Sequence, residues 1–469
     1  MEKTVGNTEV EKHHVPFYSA RQTLKRHISG GNVLIAVTVL ALIVANIPGL
    51  NDVYFKFWDQ GVRLQIGDFN IFSHSGHPMS MLDFINDALM AIFFFSIGLE
   101  IKREVLVGEL SSIRQALLPI IAAIGGMAVP VIIFSVFSHG TDFTAGAAIP
   151  MATDIAFSLG VLGMLGSRVP TSLKIFLTTL AVVDDIGGII VIAVFYSTHI
   201  EAMLLVYALI VLSVLFLGGK IGIQSKLFYF LLGGVVWFLF LNSGIHPTIA
   251  GVLVAFSIPA TPVYAPKKYI KKIRKVIGFF RQEDDDVLNA KTILSHEQLD
   301  WLKQIESASD KVISPLQDME DTLHPLVNYL IIPLFAFANA GIYLLDMNPA
   351  TLFEGVSLAI IVALVVGKFL GIFLFSFASV KLKLAPMPEF TNWKMMASVS
   401  VLGGIGFTVS LFIANLSYGN MGELGNYLLS HSKLGIVIGS LFAGISGFIL
   451  LHKTLPKTGS LPDDYSDEK

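Results

Sequence analysis

Residues 171–196 read TSLKIFLTTLAVVDDIGGIIVIAVFY. The run is apolar almost throughout, and it is too long for a barrel strand, which would alternate in polarity over about ten residues. It meets the roughly 20 apolar residues that a helix needs to cross a bilayer. Backbone groups in lipid must be paired within the segment, so the run reads as a membrane helix. Asp184 and Asp185 sit near its middle. An ionised residue there costs roughly 2.5–3.5 kcal/mol on insertion scales, so the pair has a task.

Working outward, eleven more runs have the same character. With 171–196 they are 31–49, 80–101, 115–137, 143–165, 201–219, 225–242, 245–260, 325–345, 354–380, 395–417 and 433–452. The chain is 54% hydrophobic and 14% charged, where a soluble protein carries roughly 25% charged residues. The reading is an all-α polytopic membrane protein with twelve transmembrane helices. There are no cysteines, which excludes disulfides, thiolate metal sites and thiol catalysis. No cofactor motif is present, and a net charge of −3 offers nucleic acid nothing.

Lys and Arg set the orientation. With both termini in the cytoplasm, 28 of the 32 fall on inside segments. Lys56, Arg63 and Lys433 fall outside, and Lys368 lies within a span. Basic loops on one side are what the positive-inside rule expects. The layout is then a cytoplasmic tail over 1–30, eight helices over 31–260, a long cytoplasmic loop over 261–324, four helices over 325–452 and a tail over 453–469. The first apolar run has no cleavage site after it and reads as retained. In the external loop, alternation around Gly67-Asp68 predicts a β-hairpin near 62–72. The loop 261–324 opens basic, from Lys267 to Lys275, and turns acidic at Glu283–Asp286. Ser295-His296-Glu297-Gln298 looks like a capping box for one surface helix. The plain reading is a solvated loop; the sharper one is a regulatory or lipid-headgroup patch.

Other spans hold features that a plain membrane helix would avoid. In 143–165, Pro150 removes a backbone donor, and Thr153-Asp154 follow as a pair suited to cap a restarted helix. In 395–417, Gly403, Gly404 and Gly406 weaken the helix seven spans later. Paired breaks in corresponding positions point to an inverted repeat, with two broken helices crossing at the site. Lys368 in 354–380 needs a carboxylate partner, for which Asp154, Asp184 and Asp185 are the candidates. Two close carboxylates in low dielectric strain to hold both charges, so Asp184 and Asp185 are suited to trade protons for a hard cation that prefers oxygen. Glu100, Lys102, Arg103 and Glu104 read as a charge cluster at one end of their span. Asn86, Asp87 and His246 read as interfacial anchors or caps.

At these residues the sequence resembles the NhaA-type sodium/proton antiporters. The stretches are Asn86–Ala91, Gly98–Glu104, Ala152–Phe157, Asp184-Asp185, Leu323-His324-Pro325, Phe335–Gly341, Gly367-Lys368 and Gly404–Thr408, spread over most of 31–452. The resemblance implies a bacterial inner-membrane protein that exports Na⁺ or Li⁺ electrogenically against two H⁺. It implies activation at alkaline pH and a homodimer contacting through the external hairpin. Carried over, Asp184 and Asp185 bind the ion and protons, with Thr153 beside them. Asp154 and Lys368 balance charge at the crossing. Glu320, His324 and Glu100 belong to a pH-responsive cytoplasmic mouth. Two departures fall at that mouth: Asp321 stands where the family commonly has His, and the loop 261–324 is longer than usual. Two rival readings use the same residues. One is a sodium-coupled organic acid symporter on this scaffold. The other is an intramembrane aspartyl protease, which would need two carboxylates sharing a proton across helices.

Overall fold

Apolar stretches without internal polar partners become helices, and nearly all of the structure is helical. The computed structural model describes residues 30–66, 69–70, 72–74, 77–197, 200–262, 266–280, 296–310, 312–344 and 354–456. In chain order the helices are α1 (Gly30–Asn46), α2 (Leu50–Trp58), α3 (Met81–Val107) and α4 (Ile113–Ser138). A 3₁₀ segment, Thr144–Met151, precedes α5 (Ile155–Met164). Then come α6 (Thr171–Phe195), α7 (Ala202–Ile221), α8 (Lys226–Leu241) and α9 (Thr248–Ser257). They are followed by α10 (Pro266–Phe280), α11 (His296–Asp310), α12 (Pro315–Asn339) and α13 (Gly355–Lys381). The last are α14 (Trp393–Leu402), α15 (Phe407–Tyr418) and α16 (Gly422–Thr454).

Among the described residues, eight helices are long and apolar enough to cross a membrane, and ten if each bent pair counts as one span. The pairs are α1 with α2, bent by 114°, and α14 with α15, bent by 44°. The expected twelve is not reached on this measure. α8 and α9 are apolar but have 16 and 10 residues, about 24 and 15 Å at 1.5 Å per residue, against a hydrocarbon core near 30 Å.

Three elements lie where the sequence suggested loop. α2 occupies the external loop, entered through Gly49 in the left-handed region (φ 83°). α12 begins at Pro315, well before the apolar run, with Ser314 accepting from the Gln317 N–H at 3.3 Å. Its first turns carry Gln317, Asp318, Asp321 and Thr322, which a hydropathy window reads as loop. The long loop holds two helices, α10 and α11, rather than one, and they pack on each other. The capping residue Ser295 lies outside the described residues, as does the turn Gly67-Asp68. Between α2 and α3 the described residues form four short strands. Gln65–Ile66 (β1) pairs antiparallel with Phe69–Asn70 (β2), and Ser73–His74 (β3) with His77–Pro78 (β4).

Two groups of three consecutive segments build the centre. One is α4, the interrupted helix through α5, and α6; the other is α13, α14–α15 and α16. Their first members, α4 and α13, pack along each other. A Cβ on Gly125 would run into the Gly371 carbonyl, and one on Gly371 into the Gly125 carbonyl. Only glycine at both places lets the backbones approach this closely, and that approach brings α13, with Lys368, toward the middle member of the first group.

Candidate functional site

The interrupted helices break as their residues dictate. Pro150 lies within the 3₁₀ segment, and the break follows at Ala152 to Asp154, where Ala152 (φ −81°, ψ 152°) and Asp154 (φ −85°, ψ 103°) are extended. On the other side the helix stops at Leu402 and restarts at Phe407, across Gly403–Gly406. The two breaks touch. The Asp154 N–H donates to the Ile405 carbonyl at 2.6 Å. A Cβ on Gly406 would lie 3.1 Å from the Ala152 carbonyl oxygen and 3.0 Å from Leu364. Asp154 caps both restarted helices. Its Oδ1 accepts from the Phe157 N–H at 3.0 Å, and its Oδ2 from the Thr408 N–H at 3.1 Å and hydroxyl at 2.7 Å. A carboxylate at two helix N-termini answers their positive ends.

Lys368 is fully buried and resolves the choice among its three candidate partners. Its Nζ pairs with Asp184 Oδ2 at 2.5 Å and donates to Thr153 Oγ1 at 2.9 Å. The Thr153 hydroxyl has one proton and two acceptors, Asp184 Oδ2 at 2.6 Å and the Gly403 carbonyl at 3.0 Å. Thr153 therefore links the first break, the second break, α6 and α13. A π-helical turn, Ala363–Gly367, immediately precedes Lys368; such turns widen a helix and re-aim the residues beside them. The other oxygen, Asp184 Oδ1, is buried and has no hydrogen-bond partner among the described residues. An orphaned carboxylate oxygen at this depth is a place for a cation or a proton.

Asp185 points elsewhere, as adjacent residues on a helix do. It lines a cavity of about 690 Å³ whose buried end is formed by Thr153, Asp154, Asp185 and Thr408. Asp184 is not part of that lining. The cavity continues past Glu100 to Arg103, Glu320 and His324. At this mouth Arg103 pairs with Glu320 at 2.6 Å and with Glu104 at 3.1 Å. His324 contacts Asn328 one turn on. Lys102 leaves the expected charge cluster. Its Nζ donates to the Phe256 carbonyl at 2.7 Å and to that of Ile258, closing the C-terminal end of α9.

Several contributors had weak signals in the sequence. Thr408 is an ordinary residue in a glycine-rich stretch, yet it holds Asp154. Gly125 and Gly126 admit α13, and a Cβ on Gly126 would lie 3.8 Å from Lys368 Nζ. Asn339 joins Asn86 (2.9 Å) to Asn415 (2.7 Å), tying α12 to α3 and to α15 outside the cavity lining. Asp87 faces His246 at 3.4 Å, so both are partnered inside the bundle. Among the described residues no three His, Cys, Asp or Glu cluster as a resident metal site would require.

The profile of the family described as Na+/H+ antiporter 1 matches residues 21–451. The chain belongs to this family. Among similar proteins, the Na(+)/H(+) antiporter NhaA of Phocaeicola vulgatus is 50% identical over 440 residues, covering 94% of this chain and 97% of its own. That of Bacteroides fragilis is 51% identical over 432 residues, covering 92% and 97%. The Na(+)/H(+) antiporter NhaA 2 of Syntrophotalea carbinolica is 43% identical over 431 residues, covering 92% and 95%. The family is one of transporters and not of enzymes. The comparisons give no support to symport or proteolysis. Asp154, moreover, has both oxygens engaged at helix ends, unlike a carboxylate sharing a proton with a partner.

Proposed function

We propose that this protein exchanges Na⁺ or Li⁺ for H⁺ across the bacterial inner membrane by alternating access. The observation that carries the reading is the division of labour between the paired aspartates. Asp184 is tied to Lys368 and Thr153, while Asp185 meets the cavity. The Asp184–Lys368 pair is neutral as a unit. A charge on Asp185 is uncompensated in low dielectric, so a proton or a cation must neutralise it. Na⁺ entering from the cavity would draw on Asp185, on the free oxygen of Asp184 and on Thr153. Protons arriving at the same oxygens would displace it. Competition for one set of oxygens couples the two fluxes. Asp154 holds the broken helices in register through both of its carboxylate oxygens, and Lys368 balances the site when it is empty.

With two protons per sodium, one net charge moves inward per cycle. Both termini lie in the cytoplasm, where the basic loops put them, and the cavity opens to that side. Glu100, Arg103, Glu320 and His324 line its approach and tune the response to pH. The external strands serve as the contact of a homodimer. The test is cation-dependent proton flux in proteoliposomes, measured with a ΔpH dye for Na⁺, Li⁺ and K⁺. The expected result is flux with Na⁺ or Li⁺ that Asp185→Asn abolishes. Near-normal exchange in that variant sinks the assignment.

A further inference from the structure

The helix pair α10–α11 is not used by the exchange site. Its roots are clamped: the Leu316 N–H donates to the Pro259 carbonyl at 3.2 Å. Pro259 lies two residues past the end of α9, and Leu316 is the second residue of α12, which carries Glu320 and His324. Six residues lie between Pro259 and Pro266, and the seven Cα–Cα steps reach at most ~25 Å. α10 is therefore held near the end of the bundle where Lys102 and Arg103 mark the polar boundary.

α10 has three faces. Tyr269, Ile273 and Val276, at helical spacing, are among the less exposed residues of α10, and Trp301, Ile305 and Ala308 are those of α11; the two helices pack on each other. Val276 and Ala308 are buried. Lys267, Lys271, Lys272, Arg274 and Lys275 are exposed, and among the described residues none makes an ion pair. Between these faces lies an apolar stripe, Ile270 (45% exposed) and Ile277 (48%), one full repeat apart.

We infer that α10 docks on the anionic lipid surface of the membrane, with its basic face on the headgroups and Ile270 and Ile277 at the acyl boundary. Each feature has a counterpart in that one partner. Five exposed cations on a helix tethered beside a bilayer face a negative surface potential. The neighbouring stripe supplies the apolar wedge that an interfacial helix inserts. A dissolved polyanion would engage the cations and leave the isoleucines in water. The pairing with α11 presents the basic face outward instead of spending it on the helix hairpin.

The chain has no cysteine, so single-cysteine variants of the full-length protein report this directly. Ile277→Cys carries an environment-sensitive fluorophore, and Gln304→Cys on α11 serves as the comparison site. The protein is placed in nanodiscs of phosphatidylcholine alone or with phosphatidylglycerol. The expected result is a blue-shifted emission at position 277, quenched by spin-labelled lipid, only when phosphatidylglycerol is present. Lys267→Gln, Lys271→Gln and Lys275→Gln should each lower the docked-to-free ratio about five-fold, and the corresponding Lys→Arg changes should preserve it. Equal shielding in both lipids overturns headgroup recognition. So does a water-exposed label in both, or a ratio unchanged by the Gln variants; either of these would leave the face to an acidic protein or to solvent.

Discussion

Two neighbouring aspartates in one helix carry different burdens, and substitution should separate them. Asp184→Asn removes the partner of a fully buried lysine. An uncompensated buried charge costs about 3–5 kcal/mol, so this variant should lose exchange and also unfold at a lower temperature. Asp185→Asn removes a charge that lines the cavity and, unlike Asp184, makes no salt bridge among the described residues. It should lose exchange while its thermal midpoint stays within a few degrees of the parent. Fluorescence-detected thermal unfolding in detergent, run beside the ΔpH assay, gives both readouts; equal midpoints for the two variants would mean that the pair acts as one unit. A double-variant cycle refines the point. Asp184→Asn combined with Lys368→Gln removes both charges, and stability should return while transport stays absent. A coupling energy near zero would show that the Lys368–Asp184 contact does not govern stability.

At the scale of elements, the close crossing of α4 and α13 is the most exposed to substitution. A Cβ on Gly371 collides with the Gly125 carbonyl, and overpacking of this kind costs about 1–3 kcal/mol. Gly371 lies one turn beyond Lys368, so Gly371→Ala should both lower the thermal midpoint and raise the Na⁺ concentration needed for half-maximal flux. Gly234→Ala in α8, where a Cβ meets nothing within 4 Å, should be neutral or stabilising by up to about 1 kcal/mol. A Gly371→Ala protein indistinguishable from Gly234→Ala would dissociate the crossing from the site. This contrast also marks how far the sequence could be read. Asp184, Asp185 and Lys368 stood out because a charge in lipid is expensive, and the breaks stood out because proline and paired glycines disrupt helices. Which carboxylate Lys368 meets did not stand out, since that depends on two glycines in another helix, and close packing leaves no hydropathy signal. α2 and the start of α12 were hidden for a related reason. Their polar residues share a helix with apolar ones, and a window average mistakes that mixture for a loop.

For the molecule as a whole, the charge moved per cycle is the property that separates exchange mechanisms. An exchanger that trades one Na⁺ for one H⁺ is indifferent to membrane potential. A site with two carboxylates, one neutralised by Lys368 and one facing the cavity, can load two protons in place of one sodium. On the exchange proposed above, one net charge would then cross inward per turnover, and the potential would do work of about 2.3 kcal/mol per 100 mV. At about 1.4 kcal/mol per decade, that is a sodium gradient roughly fifty-fold steeper per 100 mV at fixed pH difference. Proteoliposomes clamped with valinomycin and a potassium gradient make the comparison. An interior-negative potential should drive proton uptake and sodium release in vesicles oriented as in the cell, and collapsing the potential should slow both together. Lys368→Gln tests the origin of the charge. Without the lysine, the paired carboxylates keep one negative charge more in the empty state, so the cycle's coupling to voltage should change even where some exchange survives. Exchange that ignores the clamp in the parent protein would reduce the site to one proton per sodium, with Asp184 held permanently by Lys368.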